Sequence, residues 1–86
     1  MYRPACRDVS NRSQRQAALG RAIRDRRIER GLTIEALAAA AAMHPTYLSG
    51  IERGRYNPSW EKLWALAEAL DSRLSQLVCD VETRLG

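Results

Sequence analysis

The chain has no phenylalanine, and aromatic residues make up only 6% of its 86 residues. Its interior must therefore be built from Leu, Ile and Ala, because bulky rings are scarce. Cysteine is limited to Cys6 and Cys79, near opposite ends, and His44 is the single histidine. With no CxxC pair and too few suitably spaced ligands, a zinc site is excluded, no cofactor is expected, and free thiols are the expected state. One histidine, no Ser-His-Asp set and no Gly-rich phosphate loop after a strand argue against an enzyme. No long apolar run or signal-peptide pattern is present, which predicts a soluble cytoplasmic protein with no membrane partner. Alternating β-branched residues are missing too, so strands are not expected.

What is present is helical. Alanine-rich runs favour helix, and apolar residues recur at helical spacing, so the fold class is all-α: a compact five-helix bundle. Eighty-six residues allow one domain with a modest core, which makes a partner subunit a reasonable expectation. Residues 1–12, "MYRPACRDVSNR", lack helical period and read as a flexible N-terminal arm; residues 13–86 form the domain. Ser13 and Gln16 have capping-box spacing, and the first helix would run to about Arg30, stacking Leu19, Ile23 and Arg27 before Gly31 stops it. Thr33 caps a second helix, with Glu35 in its first turn and Leu37, Ala38 and Ala41 on one face. After a turn at Ala42, Met43 and His44, Pro45 suits the first position of a third helix, which buries Leu48 and Ile51 and ends at Gly54. Ser59 caps a fourth helix with Leu63, Leu66, Ala67 and Leu70 as its stripe. A fifth spans roughly Arg73 to Arg84, with Leu74, Leu77, Val78 and Val81 apolar.

Charge is unevenly placed. Residues 1–30 hold nine Arg against Asp8, Asp25 and Glu29, residues 31–55 balance, and residues 56–86 are acidic by two. The net charge is +4, nearly all from Arg, whose planar fork pairs well with phosphate. A basic front suggests a nucleic-acid partner without establishing one; a solvated surface explains +4 equally well.

The order "GLTIEALAAAAAMHPTYLSGIERGRYNPS" resembles the helix-turn-helix domain of the phage-repressor and Cro type, the XRE family, over roughly Leu19 to Leu77. Gly31-Leu32, Leu37-Ala38, Tyr47-Leu48-Ser49, "IERG" and "NPS" carry the likeness. The tighter run "TYLSGIER" resembles the small dimeric controller proteins of restriction–modification systems. The resemblance implies a lambda-repressor-like DNA-binding domain and a homodimeric transcriptional regulator. Its partners would be double-stranded DNA and a second copy of the chain, with no small-molecule ligand. In such domains the second helix of the motif enters the major groove and its early residues meet base edges. That assigns base contact to Pro45, Thr46, Ser49 and Gly50, and backbone contact to Thr33, His44, Tyr47, Arg53, Arg55, Tyr56 and Asn57. It also implies a structural ion pair between Arg27 and Glu52, and a dimer interface on Trp64, Leu74, Leu77, Val78 and Val81. Relatives often carry Gln or Arg at Pro45, a longer polar residue at Gly50 and Gln at Ile34, so this chain has lost several expected contacts.

Other roles remain open at several positions. His44 suits a helix cap or turn as well as a phosphate contact or a pH sensor. Tyr47 suits phosphate contact or packing on the scaffold, and Arg55 or Tyr56 could instead enter a groove. Trp60 and Trp64 read as core or core-edge residues with a share in a dimer interface. Arg21, Arg24, Arg26 and Arg30 read as a solvated face. Arg3, Arg7, Arg12 and Arg15 suit a loose arm or one that follows a minor groove. Loss of Gln and Arg contacts also fits a protein-interaction module, such as an antitoxin or assembly partner with weakened DNA reading.

Overall fold

Helix boundaries in this chain are set at their ends. The computed structural model describes residues 11–86, and within them the order is α1 (Arg12–Glu29), α2 (Ile34–Ala40), α3 (Pro45–Glu52), α4 (Trp60–Ala69) and α5 (Leu74–Leu85). Side chains satisfy the orphan N–H groups at each start. Thr33 Oγ1 accepts from the Ala36 N–H at 3.0 Å, Ser59 Oγ from the Lys62 N–H at 3.2 Å, and Gln76 Oε1 from the Arg73 N–H at 3.2 Å. The first helix starts earlier than the Ser13–Gln16 spacing predicts. Asn11 is the cap, and Asn11 and Gln14 exchange two 2.8 Å bonds in a capping box. Asn caps at least as well as Ser, and the Gln16 amide is engaged elsewhere, donating to the Gly54 carbonyl at 3.2 Å. Asn11 and Arg12 thus belong to the folded domain. The remaining arm positions, with Arg3, Arg7 and Cys6, lie outside the described residues.

Four helices close with the same turn. The N–H of Leu32, Met43, Arg55 and Ser72 each reaches five residues back to the last free carbonyls of α1, α2, α3 and α4. Such a turn needs one left-handed residue. Gly31 (φ 70°) and Gly54 (φ 79°) supply it freely, whereas Ala42 (φ 56°) and Asp71 (φ 53°) adopt it with a Cβ in the way.

The helices meet around Ile23, Leu37, Leu48, Ile51, Leu66, Leu70 and Leu77, all fully buried. Each contributes roughly 1.5–3 kcal/mol by leaving water. Ala22, Ala38 and Ala41 fill the gaps between them, and the small size of Ala38 and Ala41 lets α2 sit close to α3 and α4. α1 packs across both α3 and α5.

Two expectations about surface residues are corrected. Trp60 and Trp64 are not core: they are 63% and 46% exposed, their ring centroids 5.9 Å apart. The stripe Leu66, Ala67 and Leu70 turns inward, which leaves the tryptophan flank of α4 outside. Arg26 and Arg30 are not simply solvated either. Arg26 Nε lies 2.6 Å from Asp80 and its Nη1 donates to Ser72 Oγ at 2.7 Å, while Arg30 pairs with Asp71 at 3.5 Å and Arg84 with Asp25. These pairs stitch α1 to α5 and to the turn after α4. Exposed pairs stabilise by about 0–1 kcal/mol each, so their main effect is to withdraw arginines from any ligand.

Candidate nucleic-acid interface

The site begins behind the surface. Arg27, near the end of α1, sends Nε to Glu52 Oε2 at 2.7 Å and Nη2 to Oε1 at 3.1 Å, while Nη1 donates to the Leu32 carbonyl at 2.9 Å. A planar fork matches a carboxylate in this way. The hydrogen bond to Glu52 pushes the Arg27 guanidinium further up from its already basic value, against the effect of burial; the charges of Glu52 and then Glu35 add to the rise. Only 13% of the Arg27 side chain and 5% of the Glu52 side chain is exposed. One ion pair thus fixes the end of α1, the turn into α2 and the end of α3 relative to each other.

That frame sets the starts of α2 and α3 side by side. Thr33, Ile34, Glu35, Pro45, Thr46, Ser49 and Arg53 line one shallow depression, with Arg27 beneath. Thr46, Thr33 and Arg53 are exposed; Pro45 and Ser49 are half-buried. His44 caps α3, its Nδ1 accepting from the Thr46 N–H at 3.1 Å. A neutral imidazole that accepts at Nδ1 carries its proton on Nε2, leaving that N–H to point a donor elsewhere. Pro45 at the first helical position removes an N–H that had no partner there.

On the other flank Tyr56 folds back from the loop onto α3. Its ring stacks on Tyr47, with centroids 5.4 Å apart and planes 20° from parallel. It lies directly over Gly50, where any Cβ would run into the ring edge. Arg55 and Asn57, on either side of Tyr56, are exposed. Among the described residues neither Arg53 nor Arg55 has a carboxylate partner.

A family model described as helix-turn-helix matches residues 23–77, the segment from the middle of α1 into α5. The chain belongs to that helix-turn-helix family. The family is of the XRE class and is non-enzymatic. The chain is 43% identical over 60 residues to the HTH-type transcriptional regulator DdrOP3 of Deinococcus deserti, covering 70% of this chain and 46% of that one. It spans about half the length of the curated relatives it matches. In structure it is similar to the clp gene regulator ClgR of Corynebacterium glutamicum, with a TM-score of 0.81, 34% identity, and 83% of this chain and 76% of that one covered. It is also similar to the restriction–modification controller protein C.Esp1396I, solved as a tetramer in complex with its natural 35 base-pair operator. There the TM-score is 0.69 at 27% identity, with 78% and 93% covered.

Within the matched segment, α2 and α3 are joined by a short turn and form a helix–turn–helix. The structure gathers Thr33, Pro45, Thr46, Ser49 and Arg53 at one depression, with His44 at the cap of α3. Tyr47, Arg55, Tyr56 and Asn57 stand on the adjoining flank. Gly50 does not belong with the base-contact set: it is buried beneath Tyr56, and its missing side chain makes room for that ring. Leu77 likewise leaves the dimer set, because it is fully buried in the monomer core. Trp64 and Val78 are exposed at 46% and 40%, and Leu74 and Val81 pack partly against the core.

Two residues at the surface, Glu35 and Gln16, were missed. Glu35 places a carboxylate in the depression, although sequence reasoning credits it only with a favourable place in the first turn of α2. Arg12 and Gln16 share a second groove with Asn57, beside the loop after α3. The Gln16 bond to Gly54 links positions far apart in sequence, and no local pattern signals it.

Proposed function

We propose that this chain is a sequence-specific DNA-binding transcriptional regulator that acts as a homodimer on a palindromic operator, blocking transcription by occupancy. The observation that carries the reading is the shared depression at the starts of α2 and α3, flanked by Arg53 and Arg55, which have no acidic partners among the described residues. Phosphates meet helix N-termini and free guanidinium groups favourably. Thr46 and Ser49 reach base edges, with the Thr46 methyl able to touch a thymine methyl. Thr33, His44, Tyr47, Arg53, Arg55, Tyr56 and Asn57 hold the sugar-phosphate strand. A bidentate base contact gives about 1–3 kcal/mol of discrimination, and neither hydroxyl forms one. Pro45 offers no donor. Specificity therefore rests largely on backbone register, half-site spacing and DNA deformability. The similar controller protein solved on its operator supports the reading.

The second copy packs on the exposed α4–α5 flank, where Trp60, Trp64, Leu74 and Val78 line one apolar groove and Val81 lies beyond Val78 in the next. Two α3 helices would then enter major grooves about 34 Å apart. Selection of bound duplexes from a randomised pool tests this. The expected product is an inverted repeat with half-sites about one helical turn apart; a single unrepeated site, or no enrichment, contradicts it. A protein-interaction module is favoured by Ile34 and Glu35 at the surface of the depression, neither of which suits phosphate. Changing Arg53 and Arg55 to Ala separates the two: DNA binding collapses under the first reading, and capture of a protein partner survives under the second.

A further inference from the structure

Gly50 and Tyr56 together form a packed seat beside the contact surface. The inference rests on the DNA-binding reading above. Gly50 lies within α3, where Ala is the better helix former, so a glycine there needs a reason. Its φ is not left-handed, and no turn requires it. What requires it is the Tyr56 ring, which occupies the space of the absent side chain and stacks on Tyr47 one turn earlier. Tyr56 follows Arg55, whose N–H donates to the Gly50 carbonyl at 2.8 Å. The backbone bond and the seated ring together pin residues 55–57 against α3. Asn57, next in the chain, is exposed and borders the groove beside α1. We infer that the seat of Tyr56 on Gly50 preorganises the loop, setting Arg55 and Asn57 in the register that meets a DNA phosphate, so that Gly50 is a positioning residue that touches no DNA. A fixed loop loses less freedom on binding than a loose one, and the ring is what fixes it.

Four variants test this on the duplex that the wild-type protein selects from a randomised pool: Gly50→Ala, Tyr56→Ala, their combination and Tyr56→Phe. Gly50→Ala lifts the ring from its seat and is expected to weaken affinity about tenfold, the scale of one lost charge-assisted contact. The slope of log affinity against log salt should become shallower by about 1, as the Arg55 phosphate contact disengages. Folding should survive, because gained helix propensity opposes lost ring packing, and thermal melting checks it. In the Tyr56→Ala background, Gly50→Ala should add no further loss, since nothing remains for the methyl to displace. Tyr56→Phe keeps the seat, so it weakens binding modestly while the slope holds. Wild-type affinity for Gly50→Ala, or losses at the two sites that simply add, would overturn the device while leaving DNA binding intact. Recovery of no duplex by the wild-type protein would overturn both together.

Discussion

Replacing Arg27 by Met should cost this small domain much of its stability, although the site lies behind the surface that meets a ligand. The substitution removes two hydrogen bonds to Glu52, at 2.7 and 3.1 Å, and one to the Leu32 carbonyl at 2.9 Å. It leaves a carboxylate that is only 5% exposed with no partner. Breaking a buried pair from one side costs about 3–5 kcal/mol, against a total of about 4–13 kcal/mol for a chain of this length. Arg27→Met should therefore lose about a quarter or more of its stability and unfold at markedly lower urea than wild type. Combining Arg27→Met with Glu52→Leu removes the stranded charge. The only remaining deficit is the unpaired Leu32 carbonyl, about 1 kcal/mol, so the double variant should return to within about 1–2 kcal/mol of wild type. Urea unfolding followed by circular dichroism reads both values. The exposed tryptophans of α4 are poor reporters of this buried pair. A single variant that costs under about 1 kcal/mol, or a double variant as unstable as the single one, would refute the reasoning. The pH dependence has a definite sign. Because Arg27 is raised in the folded state, its contribution is fully present below the unfolded value and is lost only as pH climbs through the raised one. Urea midpoints should therefore show no loss from this guanidinium between about pH 6 and 9.

Three other outcomes follow from particular residues. Ala42 sits at φ 56° in the turn between α2 and α3, so Ala42→Gly should stabilise by about 1 kcal/mol and raise the melting midpoint by roughly 4–8 °C; an unchanged or lower midpoint would count against the strain. Glu35 puts a negative charge in the depression, so Glu35→Gln should tighten binding to any duplex, most at low salt, as measured by fluorescence anisotropy. Trp64→Glu and Val78→Glu alter exposed positions; sedimentation should show monomers that melt as cooperatively as wild type, and persistent dimers would move the interface elsewhere.

Much of the architecture was legible because its signals are local. Thr33, Ser59 and Pro45 announce helix starts, Gly31 and Gly54 announce ends, and the spacing of Leu37, Leu48, Ile51, Leu66 and Leu70 names the core. What was not legible depends on contacts between distant segments. Asn11 and Ser13 are both good caps, and the choice between them is coupled to Gln16 binding Gly54 across 38 positions. The tryptophans look like core by type, but which flank of α4 turns inward is decided by α2 and α5. Arg26 looks solvated until Asp80 is brought beside it. Gly50 shows the same limit at the candidate site. Its place in the motif suggests an outward position, and only the returning loop reveals that a ring already covers it.

The most direct measurement is the salt dependence of affinity for a selected duplex, compared between wild type and Arg53→Ala/Arg55→Ala. The wild-type protein should show a steep linear fall of log affinity with log salt, and the double variant should lose about two units of that slope. A flat wild-type response, or a variant whose slope matches it, would contradict a DNA-binding role for this face.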